Sequence, residues 1–329
     1  MPGCGAGRDD SGMPVIEVSG LHKEYGPKVA VDDVSFTVEP GEIFGILGPN
    51  GAGKTTSVEC ITGLRKPDRG RISVLGLDPQ RDHDELREQV GVQLQDSQLP
   101  EKIRVREALE MYASFYQHPA DADELITRLG LDDRRDTPFD KLSGGQKQRL
   151  SVALALIGTP KVAVLDELTT GLDPGARREV WGLISDIRET GVTVLLVTHF
   201  MEEAERLCDR LAVIDHGRVI ATDTPSGLAG RAGGEQYIRF TASAPLEEDA
   251  LSVLSEVHSV RREGDQFAVT GNEEALQAVM GVLIRRGIIA RHLRLDQASL
   301  DDAFVALTNH DAANHDAANI DAASAVEAN

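Results

Sequence analysis

The stretch IFGILGPNGAGKTT, residues 43–56, constrains the fold more than any other part of this chain. Its first half is a continuous apolar run, which reads as a strand covered on both faces. It passes without a break into a loop carrying Gly48, Asn50, Gly51 and Gly53, followed by Lys54, Thr55 and Thr56. A strand, a glycine-rich loop and a helix in that order make a phosphate loop, and Gly48, Gly53, Lys54 and Thr55 occupy its pattern positions. The glycines let backbone N–H groups turn inward around phosphates, and the helix that follows offers its positive N-terminal end. Lys54 can reach β- and γ-phosphates, and the Thr55 hydroxyl can ligate a Mg2+ ion that bridges them. Such a loop commits the chain to α/β layering.

The surrounding pattern agrees. From Val15 to about Ala221, short apolar strands alternate with helical periodicity. VSFTV (34–38) alternates with period two and stops at Pro40-Gly41, and PDRG (67–70) is a turn that introduces the strand RISVLG. VAVLD (162–166) and VTVLLVTH (192–199) are β-branched runs suited to a sheet buried on both sides. Between them Val180, Ile184 and Ile187 recur at helical spacing, and Gly191 stops the helix. This βαβ rhythm predicts a mostly parallel α/β sheet.

GRAGG (230–234) reads as a linker, and the pattern changes beyond it. A strand is expected over 237–241, a helix over about 246–254, and strands over 257–261 and 267–270. A second helix presents Leu276, Val279, Met280 and Leu283 on one face and ends at Gly287, before a strand over 288–295. That order matches the split βαβ arrangement of a small α+β accessory domain. Ser299 and Asp302 have capping-box spacing for a last short helix. NHDAANHDAANIDAA (309–323) is three copies of a five-residue unit, read as a disordered tail, with a His/Asp metal tract as the alternative. The expected organisation is a flexible tail over 1–13, a main domain over 14–230, an accessory domain over 235–308 and a low-complexity tail over 309–329.

A formal net charge of −20 argues against a sequence-independent nucleic-acid binder, which needs a basic surface to neutralise phosphates. No apolar run approaches the roughly 18–20 residues of a spanning helix, and the first residues lack the pattern of a signal peptide. Cys4, Cys60 and Cys208 are odd in number and far apart, which fits neither a disulfide framework nor a zinc site.

Further candidates for chemistry lie downstream. VAVLDE ends a buried strand in Asp166, which would stand beside the magnesium site, and Glu167 follows one position nearer the ligand edge. Adjacent carboxylates can divide the work: one stays ionised for the metal and the other polarises the attacking water. His199 ends the neighbouring strand. It is either a satisfied structural residue or the group that holds the γ-phosphate and fixes the carboxylate. Gln95, in VGVQLQD, is a candidate magnesium and water ligand. LSGGQKQR (142–149) then raises a question, because one nucleotide needs only one phosphate loop. Ser143 suits an N-cap, but Gly144 and Gly145 behind it weaken a helix, and together with its N-terminus they form a second anion site.

GPNGAGKTT, LSGGQKQR, VAVLDE, TTGLDP and LLVTH, in this order, resemble the ATPase cassette of ABC transporters across roughly residues 14–230. The resemblance implies a P-loop fold with a helical subdomain, an ATPase with ATP and Mg2+ as ligands, and two cassettes closing head to tail around two nucleotides. Ser143, Gly144, Gly145 and Gln146 would then serve the partner's ATP, Glu167 would be the general base and His199 the switch. Asp173 matches the loop that communicates across the dimer, Gln95 the glutamine that senses magnesium and the membrane subunit, and Tyr25 the aromatic that stacks on adenine. One departure stands out: Leu168 occupies a position where the family commonly has proline, which bears on the turn around Glu167. The accessory region and SLDDAFVALT (299–308) are similar to the drug and antibiotic exporter branch, including daunorubicin-resistance subunits. That implies export through a separate permease and a place on the cytoplasmic face of the cell membrane. An importer ATPase is the nearer alternative, and a non-transport ABC ATPase the more distant one.

Overall fold

Nine strands of the first unit hydrogen-bond into one mixed sheet, and the phosphate loop leaves it near the centre. The computed structural model describes residues 13–94, 99–231, 236–272, 274–297, 299–305 and 307–308. The chain divides after Thr222 into two compact units. Strands of the first are β1 (Ile16–Tyr25), β2 (Lys28–Val38), β3 (Ile43–Leu47), β4 (Arg69–Val74), β5 (Val90–Gln93), β6 (Val162–Asp166), β7 (Thr193–Thr198), β8 (Arg210–Asp215) and β9 (Arg218–Asp223). Their spatial order is β4-β1-β2-β9-β8-β3-β7-β6-β5. Its helices are α1 (Lys54–Ile61), α2 (His83–Gln89), α3 (Val105–Ala113), α4 (Ala122–Arg128), α5 (Gly144–Leu156), α6 (Pro174–Glu189) and α7 (Met201–Leu207).

The pairing follows from burial. Every residue of β3, β6 and β7 is buried, and these strands run parallel. Only strands covered on both faces tolerate such unbroken apolar sequence. β1, β2 and β4 instead alternate buried and exposed positions and pair antiparallel, which makes the sheet mixed. Register then decides what meets what. Leu47 at the end of β3 pairs with Thr198 of β7, and Val197 pairs with Asp166 of β6. Three adjacent strands therefore stop at one edge, where ligands of open α/β sheets bind.

The second unit contains α8 (Pro225–Arg231), β10 (Gln236–Ala242), α9 (Asp249–Ser252), β11 (Val257–Glu263), β12 (Gln266–Gly271), α10 (Ala275–Arg285) and β13 (Ala290–Gln297). Its sheet has the order β11-β12-β10-β13 with every adjacent pair antiparallel. β10 and β11 thus run the same way with β12 between them, the split βαβ topology. α9 is only four residues long, shorter than the periodicity of 246–254 suggests. Leu246 and Leu251 both reach the core of this unit all the same, so turns around one helical turn satisfy the apolar spacing. α10 closes in a Schellman motif. Gly287, at φ 65°, donates to Ile284 and Ile288 donates to Leu283, which delays β13 until Ala290.

Candidate active site

Glycine is required in the phosphate loop at two positions for different reasons. A Cβ on Gly48 would lie 2.2 Å from the Ile214 carbonyl oxygen of the neighbouring strand. Gly53, the N-cap of α1, sits at φ 102°, and a Cβ there would lie 2.4 Å from the Ala30 carbonyl oxygen. Gly51 also has positive φ, at 84°, but open space around it. Gly53→Ala is therefore expected to cost more than about 2 kcal/mol, through strain and collision together, while Gly51→Ala carries the strain alone. Urea midpoints at unchanged slope would check this, and equal midpoints for the two variants would contradict it.

The loop opens into a cleft of about 360 Å³ lined by Tyr25, Lys28, Ala30, Asn50, Gly51, Gly53, Lys54, Thr55, Thr56 and Glu167. Lys54 is buried and turns back on its own loop. Its Nζ donates to the carbonyl oxygens of Gly48 (2.9 Å) and Pro49 (3.1 Å) and lies 3.7 Å from Glu167 Oε1. Burial lowers its pKa, opposed by the charges of Glu167 and Asp166. Tyr25 is half exposed at the rim, with the Arg65 guanidinium 5.2 Å and Lys23 Nζ 5.6 Å from its ring centroid.

Asp166 is completely buried, and neither carboxylate oxygen has a hydrogen-bond partner among the described residues. Burial, and then the charge of Glu167, pushes its pKa up to about 6. An acid in that condition calls for a cation. No group of three or more His, Cys, Asp and Glu side chains among the described residues is arranged to hold a metal. The residue that fits such an ion is Asp166 itself, a buried carboxylate without a hydrogen-bond partner among the described residues, since Mg2+ is held by one or two protein oxygens together with substrate phosphates. Glu167 takes the left-handed conformation, φ 49°, and its N–H donates to the Val197 carbonyl, 2.9 Å away. Strain of this kind concentrates at functional sites, where the surroundings enforce it. His199 Nδ1 lies 3.2 Å from Glu167 Oε1, without the alignment of a hydrogen bond. Leu168 is fully buried and anchors the turn from inside the core.

The structure thus brings the phosphate-loop residues, Tyr25, Glu167 and His199 together at one sheet edge. The signature residues are placed elsewhere: none of Ser143, Gly144, Gly145 and Gln146 lines the cleft. Ser143 caps α5, accepting from the Gln146 N–H at 3.3 Å, while Gln146 Oε1 accepts from the Ser143 N–H at 3.0 Å. This capping box explains the serine and glutamine locally but leaves the two glycines unexplained. Asp173 caps α6, accepting from Gly175 and Ala176 N–H groups, which hold its pKa below the usual carboxylate value. Gln95 lies outside the described residues, as do Cys4 and the repeat over 309–323. Cys60 and Cys208 are buried and unpaired with each other. Sequence reading missed Lys28, Ala30 and Arg65: nothing in their local pattern marks them, because their approach to the site depends on strand register and on the end of α1.

This site on this sheet is that of an ATP-hydrolysing cassette. The ABC transporter family model matches residues 31–170. Daunorubicin resistance ATP-binding protein DrrA2 of Streptomyces coeruleorubidus is 37% identical over 306 residues, covering 90% of this chain and 95% of that protein. Nod factor export ATP-binding protein I of Rhizobium sp. (strain N33) is 38% identical over 303 residues, covering 90% and 97%. Among solved structures, the ATP binding subunit of an ABC transporter superposes with a TM-score of 0.60 at 30% identity, covering 66% of this chain and 92% of that one. CbiO1 from Clostridium perfringens, part of the ABC transporter complex cbiONQ, gives 0.59 at 30%, covering 66% and 91%. The chain belongs to the ABC transporter family, as an ATP-binding and ATP-hydrolysing subunit homologous to drug and Nod factor exporters.

Proposed function

We propose that two copies of this chain close head to tail around two ATP molecules and drive export of a drug-like hydrophobic compound through a separate permease. The observation that carries the dimer is that Ser143–Gln146, an anion site by chemistry, takes no part in lining the chain's own cleft. It needs a phosphate from elsewhere, and a second copy supplies one. The resemblance to a daunorubicin resistance protein supports a hydrophobic cargo. No helix among the described residues is long and apolar enough to cross a membrane, in keeping with a permease encoded as another chain. We assign the working position to the cytoplasmic face of that permease.

In this reading Tyr25 stacks on adenine, on the ring face away from Arg65. The N–H groups of Asn50 to Thr56 cradle the phosphates, and Lys54 swings from the Gly48 and Pro49 carbonyls to the β,γ-oxygens. Thr55, Asp166 and Gln95 would hold Mg2+, which screens the phosphate charge when bound. Glu167 accepts a proton from water as the water oxygen attacks the γ-phosphorus, and the bond to the bridging oxygen breaks to leave ADP and phosphate. His199, beside Glu167, fixes the carboxylate and contacts the γ-phosphate.

Mixing two inactive variants tests the shared site. Lys54→Ala spoils a chain's own loop, and Ser143→Arg spoils what it offers its partner. Each alone is expected to lose ATP turnover, whereas a heterodimer retains one complete site, so an equimolar mixture should recover up to about a quarter of wild-type turnover. A mixture as inactive as its components would refute the head-to-tail arrangement.

A further inference from the structure

Glu203 has no part in the ATP cleft, yet it is completely buried. One oxygen accepts from the Trp181 indole N–H at 2.8 Å, and Oε2 has no hydrogen-bond partner among the described residues. An apolar side chain would fill this seam between α6 and α7 at lower cost than a half-satisfied carboxylate. What the carboxylate adds is direction, because a hydrogen bond fixes where the indole edge must lie. A face of the same ring is covered by Arg206, whose guanidinium lies 5.5 Å from its centroid. Glu203 and Arg206, one turn apart on α7, therefore grip one side chain of α6.

A second grip lies one turn earlier on α6. The Arg177 guanidinium sits 4.5 Å from the Phe200 ring centroid, and that ring lies 4.1 Å from the His199 ring. Asp173, Arg177 and Trp181 are spaced by four, so they share a face of α6. Phe200 and Glu203, spaced by three, receive two of them. Two attachment points fix both sliding and rotation of one helix on the other. Asp173 caps the start of α6, and His199 stands two residues before the start of α7.

We infer that the Trp181–Glu203 bond is a positioning link that makes α6 and α7 move as one body, tying the loop at Asp173 to the imidazole of His199. This rests on the roles proposed above for Asp173 and His199. Neither linking residue lines the ATP cleft. Each acts by keeping His199 beside Glu167 when the partner engages Asp173.

Trp181→Phe keeps an aromatic ring but removes the N–H donor. The expected result is a kcat for ATP lower by about tenfold, with KM within about twofold and full nucleotide stoichiometry. Glu203→Gln retains an oxygen for the indole and is expected to keep kcat within about threefold. Added to His199→Ala, Trp181→Phe should slow hydrolysis no further, since both act through one imidazole. Wild-type kcat in Trp181→Phe, or a fully multiplicative loss with His199→Ala, overturns the link. Trp181 is the single tryptophan of the chain, so its emission reports on this seam directly. In the Glu167→Gln protein, Mg2+-ATP should leave that emission unchanged as the dimer forms, because the seam moves as a unit. A dimer with clearly shifted emission overturns the link and leaves the shared-site reading standing; no dimer at all overturns both.

Discussion

Glu167→Gln is expected to bind ATP with near-normal affinity, hydrolyse it about 10²–10⁴-fold more slowly, and accumulate as a nucleotide-bound dimer. The amide keeps the shape of the side chain and the left-handed backbone of the native residue, at φ 49°. It cannot accept a proton from water. Its neutrality also removes a negative charge that lies 3.7 Å from Lys54 Nζ and would face an incoming γ-phosphate. Loss of chemistry and easier closure thus act together. Light scattering with and without Mg2+-ATP, beside a phosphate-release assay, measures both. A Glu167→Gln protein that stayed monomeric while turning over at the wild-type rate would remove Glu167 from the mechanism.

Asp166→Asn should separate stability from function. The Asp166 carboxyl, normally near 3.8, is raised to about 6 by burial and by the neighbouring Glu167. For a carboxyl whose folded pKa is raised, the folded state binds the proton more tightly than the unfolded state. The charged form therefore penalises folding. That penalty is absent below about pH 3.8, grows through the interval, and is complete above about pH 6. A shift of this size corresponds to at most about 3 kcal/mol. Without metal at pH 7, Asp166→Asn is expected to be more stable by about 1–3 kcal/mol, raising Tm by roughly 2–4 °C for each kcal/mol. The same substitution should abolish Mg2+-dependent hydrolysis, because an amide is a poor partner for the cation. A lower Tm in the metal-free variant would contradict the reading that the buried Asp166 carboxylate, without a hydrogen-bond partner among the described residues, costs folding stability.

Much of the candidate cleft is legible in the sequence because its residues are bound to local pattern. Gly48, Lys54 and Thr55 announce themselves through a strand, a loop and a helix within a dozen positions. Asp166 and His199 could be placed because each ends a fully apolar strand, and parallel neighbours bring such ends together. What stayed hidden depends on contacts between distant segments. Arg65 meets Tyr25 only once β1 and the end of α1 have packed, and no spacing in the sequence foretells it. Trp181 reads as one more apolar position beside Val180, Ile184 and Ile187, and its bond to Glu203 appears only when α6 and α7 are laid side by side. The apolar spacing over 246–254 predicts a longer helix than the four residues of α9, because such spacing alone does not distinguish a long helix from a short one flanked by turns.

Lys54, folded onto the Gly48 and Pro49 carbonyls beside two acids, serves as the resting cleft's own counterion. Any anion that draws the lysine outward leaves Asp166 and Glu167 without that counter-charge, at the moment when more negative charge has arrived. A bare polyphosphate would therefore unbalance the pocket as it enters. A polyphosphate that brings its own divalent cation restores neutrality on arrival, so the pocket discriminates between the two by charge balance before any chemistry begins.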